Sequence, residues 1–266
     1  MSLAPAATRP SGVSIRSDEP SAVRNWITTI PPHPCGHRTD PAAIPAESDW
    51  AASAVVDRYR RERQSPEGDS LFQDRITRDG LTLLRRIPLP RANLLDVGCG
   101  AARWAGVLAD AAPPLCHWQY EGLELTGDLA TLCRQAHPGL VFHVGAAESL
   151  PFNDAAFDVV LCSGVLSYVA DWPRALREVV RVARRYVALL RTPVVKYAPH
   201  TPAWQFVDGP TGSECHKLTL FSRDQLRAAL NAAARRIAVE DYSDVAHPVE
   251  GLDERLFFLD YLLECG

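Results

Sequence analysis

The stretch Leu95-Asp96-Val97-Gly98-Cys99-Gly100-Ala101-Ala102-Arg103 sets a carboxylate near the end of an apolar run and then turns through two glycines. Without Cβ atoms, Gly98 and Gly100 let the main chain approach a ligand closely and take positive φ angles. In a strand–turn–helix setting such a ligand lies beyond the carboxyl end of the strand, where doubly wound sheets place their crevice. A second carboxylate, Glu124, closes the next apolar run, and there it can accept hydrogen bonds from both hydroxyls of a ribose. A dinucleotide fold uses a similar turn. Its third glycine, however, would fall at Arg103, whose bulk obstructs helix–strand packing, and its ribose acid is expected about 20 residues on, earlier than Glu124.

The elements that must hold these residues follow from the apolar periodicity. From Ala92 onward short apolar runs alternate with helical stretches, the pattern of a mostly parallel sheet covered on both faces. Strands are expected at Leu94 to Val97, Gln119 to Leu123, Leu140 to Val144, Phe157 to Cys162 and Tyr186 to Leu190, and two more close the chain at about Arg236 to Asp241 and Arg255 to Leu262. Between them lie helices from about Ala102 to Ala111, Gly127 to Ala136 and Pro173 to Ala183, with a last one capped by Ser222 and ending near Ala234. Upstream, helical patterning starts at Ser48 or Asp49 and runs through Trp50, Val55, Val56 and Tyr59. A second helix follows Asp69 and ends before Pro88 and Pro90. The fold class is thus α/β, a doubly wound, mostly parallel seven-stranded sheet with an antiparallel last strand.

The expected organisation is an irregular Pro-rich arm over 1–48 and one domain over 49–266. That domain divides into N-terminal helices (49–91), a cofactor-binding core (92–191), a substrate-side insertion (192–221) and a closing helix with two strands (222–266). Pro31, Pro32, Pro34, Pro41 and Pro45 bar regular structure in the arm, which reads as a disordered tail or as a lid with Trp26, Ile27 and Ile30 as its apolar handle. The insertion reads as a long irregular loop, and loops of that length are usually functional.

Several blocks in order, LLDVGCG at 94–100, YEGLELT at 120–126, HVGAAESLPFNDAAFDVVLCSGVLSYV at 143–169 and ALREVVRVAR at 175–184, resemble the class I S-adenosylmethionine-dependent methyltransferases, above all the branch that modifies small molecules. The resemblance implies S-adenosyl-L-methionine as cofactor. Gly98 and Gly100 would border its methionine part, with Asp96 also among the cofactor-binding residues, Glu124 would hold the ribose, and Leu125 would pack on the adenine with Ala146, Ala147 and Glu148 along its edge. Ser163 would offer backbone contacts near the amino-acid end, and Tyr59 would either reach the cofactor carboxylate from the N-terminal helix or pack in the core. Two departures stand out: Ala102 replaces a usual third glycine, and Ala146 replaces an acid that accepts from the adenine amino group, which alanine cannot do. Cys162-Ser163-Gly164-Val165 lacks the Asn/Asp-Pro-Pro-aromatic signature of enzymes that methylate nucleic-acid bases or glutamine.

Methyl transfer from an activated donor needs alignment above all, and orientation is worth roughly 7–11 kcal/mol. A hydroxyl acceptor also needs its proton removed, for about 10²–10⁴-fold. The catalytic candidates are His216, Tyr168 and His200. Tyr168 follows the fourth strand, where the family places a residue facing the donor methyl, and His216 precedes the Phe221-Ser222 helix entry. His216 is preferred for its firmer mount near that helix start. Trp204 and Phe206 either shape an acceptor pocket or pack the insertion. No metal-ligand cluster is visible.

The remaining features exclude more than they add. A net charge of −4 gives no drive toward nucleic acid or anionic membrane. No apolar run reaches the roughly 20 residues of a bilayer span. The first residues lack the basic start and apolar core of a secretory signal, and the seven cysteines contain no Cys-x-x-Cys pair. The expectation is a cytoplasmic enzyme acting on a small-molecule acceptor, with no nucleic-acid or membrane partner, and able to form a homodimer. A catalytically silent cofactor- or partner-binding module and a methyltransferase of RNA or protein are the alternatives. Arg174, Arg177, Arg181 and Arg184 share a helix face that reads as solvated, with Glu178 in pairing range.

Overall fold

The computed structural model describes residues 24–28, 53–64, 70–209, 212–242, 246–249 and 251–266. Ile30, the prolines from Pro31 to Pro45, and the expected helix start at Ser48 to Trp50 lie outside the described residues. Two N-terminal helices, α1 (Ser53–Gln64) and α2 (Ser70–Leu84), precede the alternating core. The core runs β2 (Asn93–Val97), α3 (Arg103–Ala109), β3 (Gln119–Glu124), α4 (Gly127–Ala136), β4 (Val141–Val144), β5 (Phe157–Ser163), α5 (Trp172–Val182) and β6 (Ala183–Val195). After two further strands come α6 (Arg223–Ala233), β9 (Arg236–Tyr242), a short β10 (His247–Pro248) and β11 (Arg255–Glu264).

The seven expected strands form one sheet in the order β4-β3-β2-β5-β6-β11-β9, parallel from β4 to β6, with β11 antiparallel to both of its neighbours. Side-chain alternation sorts the core into two layers. Leu95, Val97, Val160, Cys162, Val187 and Leu189 face α5 and α6 through Leu176, Val179, Leu226 and Leu230. Leu94, Val159, Leu161, Ala188 and Leu190 face Leu83 and Leu84 of α2 and Trp104 and Leu108 of α3. Because both faces are covered, these strands read as continuous apolar runs. Helix ends follow local chemistry: Thr126 caps α4 by accepting from the Leu129 N–H at 3.3 Å, and Asp171 caps α5 by accepting from the Arg174 N–H at 3.2 Å. On α5, Glu178 pairs with Arg181 rather than Arg174.

The insertion departs from expectation. Residues 192–221 are not an irregular loop. Strand β6 continues to Val195, and β7 (Thr201–Gly209) and β8 (Gly212–Ser222) form a long antiparallel hairpin whose base joins the sheet, Val194 and Val195 pairing in parallel with Phe221 and Ser222. His216, Leu218 and Leu220 are buried while Lys217 and Thr219 between them are not, a two-residue period that sequence proximity to a long loop obscured. The arm is not wholly irregular either: β1 (Arg24–Thr28) pairs antiparallel with β7, Trp26 opposite Phe206 and Ile27 opposite Gln205. Among the described residues no helix is long and apolar enough to cross a membrane.

Candidate functional site

The site is built at the carboxyl ends of β2, β3 and β5. After β2 the chain turns through Gly98 at φ +68°, Gly100 at φ +57° and Ala102 at φ +56° into α3. A Cβ on Gly98 would lie 2.5 Å from Val165, and one on Gly100 would lie 3.0 Å from the Tyr59 ring, so both positions need glycine for space as well as conformation. Ala102 takes the left-handed conformation that makes glycine usual there, and an L-residue in it costs on the order of 1–2 kcal/mol. The turn is pinned from three sides. Gly98 and Cys99 N–H groups donate to the Leu123 carbonyl at 2.8 and 3.1 Å, Cys133 Sγ donates to the Gly100 carbonyl at 3.0 Å, and Tyr59 packs over Gly100. The Cys99 thiol is held neutral by its hydrogen bond with Cys133 and by burial, which push its pKa up, so these cysteines act as packed fillers.

Glu124 ends β3 and is 6% exposed. Its Oε1 accepts from the Gly100 N–H at 2.5 Å and its Oε2 from the Leu125 N–H at 2.9 Å, so the carboxylate links the two strand ends that would flank a ribose. Burial raises its pKa, and the two backbone N–H groups oppose the rise. Asp96, 1% exposed, accepts from the Tyr120 hydroxyl at 2.8 Å through Oδ2, while its buried Oδ1 has no protein partner. Burial pushes its pKa up to about 7, against the Tyr120 bond and with the help of Glu124. Beyond Glu124, Leu125 leaves 50% of its surface exposed at the rim, next to exposed Val144 at the end of the paired strand. Ala146, Ala147 and Glu148 are half-buried in the following turn, where the Ala146 carbonyl accepts from the Ser149 N–H at 3.1 Å. Ser163 ends β5, followed by Gly164 at φ +68°.

The glycine cradle, the buried ribose-height carboxylate, the orphaned Asp96 oxygen and the exposed apolar rim are together what an adenosyl and amino-acid-bearing ligand requires. S-adenosylmethionine would fit that set: Glu124 could take the ribose, Leu125 the adenine, and the Gly98–Gly100 turn with Asp96 and Tyr59 the amino-acid end.

Of the three catalytic candidates the structure brings two together. Tyr168 lies in the single helical turn after β5, and its hydroxyl donates to Gln205 Oε1. Gln205 on β7 stands opposite His216 on β8, whose ring packs edge-on against Tyr168 with centroids 6.4 Å apart. His216 is 2% exposed. His200 stands apart: its Nδ1 accepts from the Ser222 N–H at 3.1 Å, and its ring packs on Trp172 and Phe221. The helix-start mount expected for His216 therefore belongs to His200, and Ser222 makes no side-chain cap. Burial lowers the His200 pKa. Trp204 is buried and packs on Cys215 within the hairpin. Sequence reasoning singled out neither Gln205, which joins Tyr168, nor Arg191 in β6. Cross-strand register, invisible before the hairpin is known, is the signal that would have found Gln205.

Comparison with known proteins finds likeness to methyltransferases. Residues 95–189 match the model of a methyltransferase domain. The phthiotriol/phenolphthiotriol dimycocerosates methyltransferase of Mycobacterium leprae is 39% identical over 101 residues, 37% of this chain and 36% of that protein. The malonyl-[acyl-carrier protein] O-methyltransferase of Serratia marcescens is 28% identical over 162 residues, 59% of this chain and 60% of that protein. The chain thus spans between about a third and three fifths of the length of these curated relatives. Among solved structures, a putative methyltransferase from Haloferax volcanii in complex with the Trm112 methyltransferase activator superposes with a TM-score of 0.54 at 18% identity, covering 79% of this chain and 98% of that one. The 1,6-didemethyltoxoflavin-N1-methyltransferase of Burkholderia thailandensis superposes at 0.51 and 17% identity, over 84% and 94%. At these identities the likeness is one of fold. Residues 95–189 thus resemble a methyltransferase domain, and the seven-stranded sheet around them shares its fold with these solved structures.

Proposed function

We propose that the protein is an S-adenosylmethionine-dependent methyltransferase that methylates an oxygen or nitrogen atom of a small secondary-metabolite acceptor. The observation that carries this reading is Glu124, a buried carboxylate joined to the Gly100 and Leu125 N–H groups beside a positive-φ glycine turn. When bound, S-adenosylmethionine supplies a methyl group already activated on sulfonium. The chain's own work is then to align, to exclude water and to take a proton. Val165 packs against Gly98 and sets the depth of the crevice. Leu125 covers adenine, Ala147 and Glu148 edge it, and Ala146 leaves its amino group to backbone and stacking. Arg58, stacked 4.6 Å over the Tyr59 ring on α1, joins Tyr59 as a holder of the donor carboxylate.

On the acceptor side, the Tyr168 proton is committed to Gln205, so the phenol oxygen faces an acceptor as a hydrogen-bond acceptor. His216 is the leading base for a hydroxyl acceptor and takes its proton directly. His200 serves the hairpin base instead. Relatives named for phthiotriol dimycocerosates and for malonyl-[acyl-carrier protein] support a non-nucleic-acid acceptor. Calorimetry with S-adenosylhomocysteine and with NADH tests the reading: the first should bind at micromolar level or tighter and the second should not. Binding of neither, or of NADH alone, refutes it.

A further inference from the structure

Arg191 sits where the chain takes an unusual step. Between Thr192 opposite Leu259 and Leu189 opposite Tyr261, two residues of β6, Leu190 and Arg191, face a single residue of β11, Asp260. This is a β-bulge, a device that re-aims a side chain beside many active sites. Arg191 lies within it at φ +54°, a conformation that strains any residue but glycine. Buried Asp260 holds the strained backbone by accepting the Arg191 N–H at 2.7 Å. Glycine would satisfy the bulge without strain, so an arginine at this position carries a conformational cost.

Several contacts link that side chain to the proposed acceptor half of the site. Leu190, its neighbour, accepts from the Gly164 N–H at 2.9 Å, at the start of the turn that carries Val165 and Tyr168. The guanidinium lies over the Phe258 ring, 4.8 Å from the centroid. Phe258 and Tyr168 pack on the same small apolar cluster, formed by Val195, Leu218, Leu220 and Leu256. Arg191 also acts on the Tyr168 hydroxyl electrostatically, opposing the rise that burial imposes on it. Arg58 does the same from the α1 side, but its stacking on Tyr59 places it with the donor.

We propose that Arg191 determines acceptor specificity by reading a carboxylate on the acceptor, whose apolar body rests on Phe258 and Tyr168. This rests on the methyltransferase reading and deepens it. A single guanidinium presents a planar fork that matches one carboxylate, and apolar walls strengthen that pairing by limiting water. A neutral acceptor of the same shape makes the apolar contacts and forgoes the charge-assisted bond.

The test uses the full chain saturated with S-adenosylhomocysteine and two probes of equal shape, 4-fluorobenzoate and 4-fluorobenzamide, followed by fluorine NMR. The benzoate should bind at least tenfold more tightly than the benzamide. Arg191→Gly, which keeps the bulge conformation and the bond to Asp260, should abolish that preference, and Arg191→Lys should retain part of it. S-adenosylhomocysteine affinity should be unchanged in both variants. Equal binding of the two probes, no binding of benzoate, or a preference that survives in Arg191→Gly overturns the proposal. A tenfold loss of S-adenosylhomocysteine affinity in Arg191→Gly also overturns it, by moving Arg191 to the donor carboxylate. Failure of S-adenosylhomocysteine to bind the unmodified protein would instead strike the methyltransferase reading itself.

Discussion

Replacing Glu124 with alanine removes both acceptors that face the ribose position and leaves the Gly100 and Leu125 N–H groups without the carboxylate that now holds them at 2.5 and 2.9 Å. A hydrogen bond to a charged group contributes about 1.5–3 kcal/mol, and about 1.4 kcal/mol is a factor of ten in affinity. S-adenosylhomocysteine should therefore bind Glu124→Ala about 10- to 150-fold more weakly, measured by calorimetry on protein whose thermal transition shows it folded. Losing the partner of the Gly100 N–H loosens the turn, but the same change removes the desolvation cost of a buried carboxylate. The fold should therefore survive. The pH dependence has a definite sign. Burial raises the Glu124 pKa, so acidification neutralises it sooner than an exposed glutamate, and donor affinity should fall as pH drops. Glu124→Gln should match the low-pH affinity and lose that dependence. A folded alanine variant that binds the ligand within twofold of the unmodified protein would refute the assignment of Glu124 to the ribose.

Asp96 makes a second pH prediction. A carboxyl held at about 7 instead of 3.8 is protonated in the fold while ionised in the unfolded chain. Stability without donor should thus decline from about pH 4 to about pH 7 and level off above, by about 4 kcal/mol in total. Thermal unfolding of Asp96→Asn across that range should show a flatter profile. His216→Ala should lower turnover of a hydroxyl acceptor about a hundredfold, flatten the acidic limb of the rate profile and leave donor affinity intact; retained turnover would pass the role to Tyr168. Deleting residues 1–30 removes β1, which pairs only with β7 among the described residues. The thermal midpoint should stay within a few degrees while amide exchange rises along Thr201–Gly209, and a collapse in stability would show the arm to be part of the core.

The geometry of the proposed donor half was legible in the residue order because it is local. Asp96, Gly98 and Gly100 fall within five residues, and a glycine turn after an apolar run dictates its own geometry. Glu124 closes the next strand, so parallel pairing of β2 with β3 brings it to the turn without further information. The two-sided burial of the strands was legible for the same reason, as continuous apolar runs. The acceptor half was not. Tyr168, Gln205 and His216 come from three separate elements, and they meet only because β7 and β8 pair in one register, which a shift of one residue would reverse. The sequence suggested His216 for its nearness to Ser222, yet chain nearness is not spatial nearness in a hairpin, and folding delivers His200 to that helix start. Arg191 looked like an ordinary arginine beside a strand end. Only the bulge opposite Asp260, a property of how β6 and β11 pair across the sheet, sets it over the Phe258 ring.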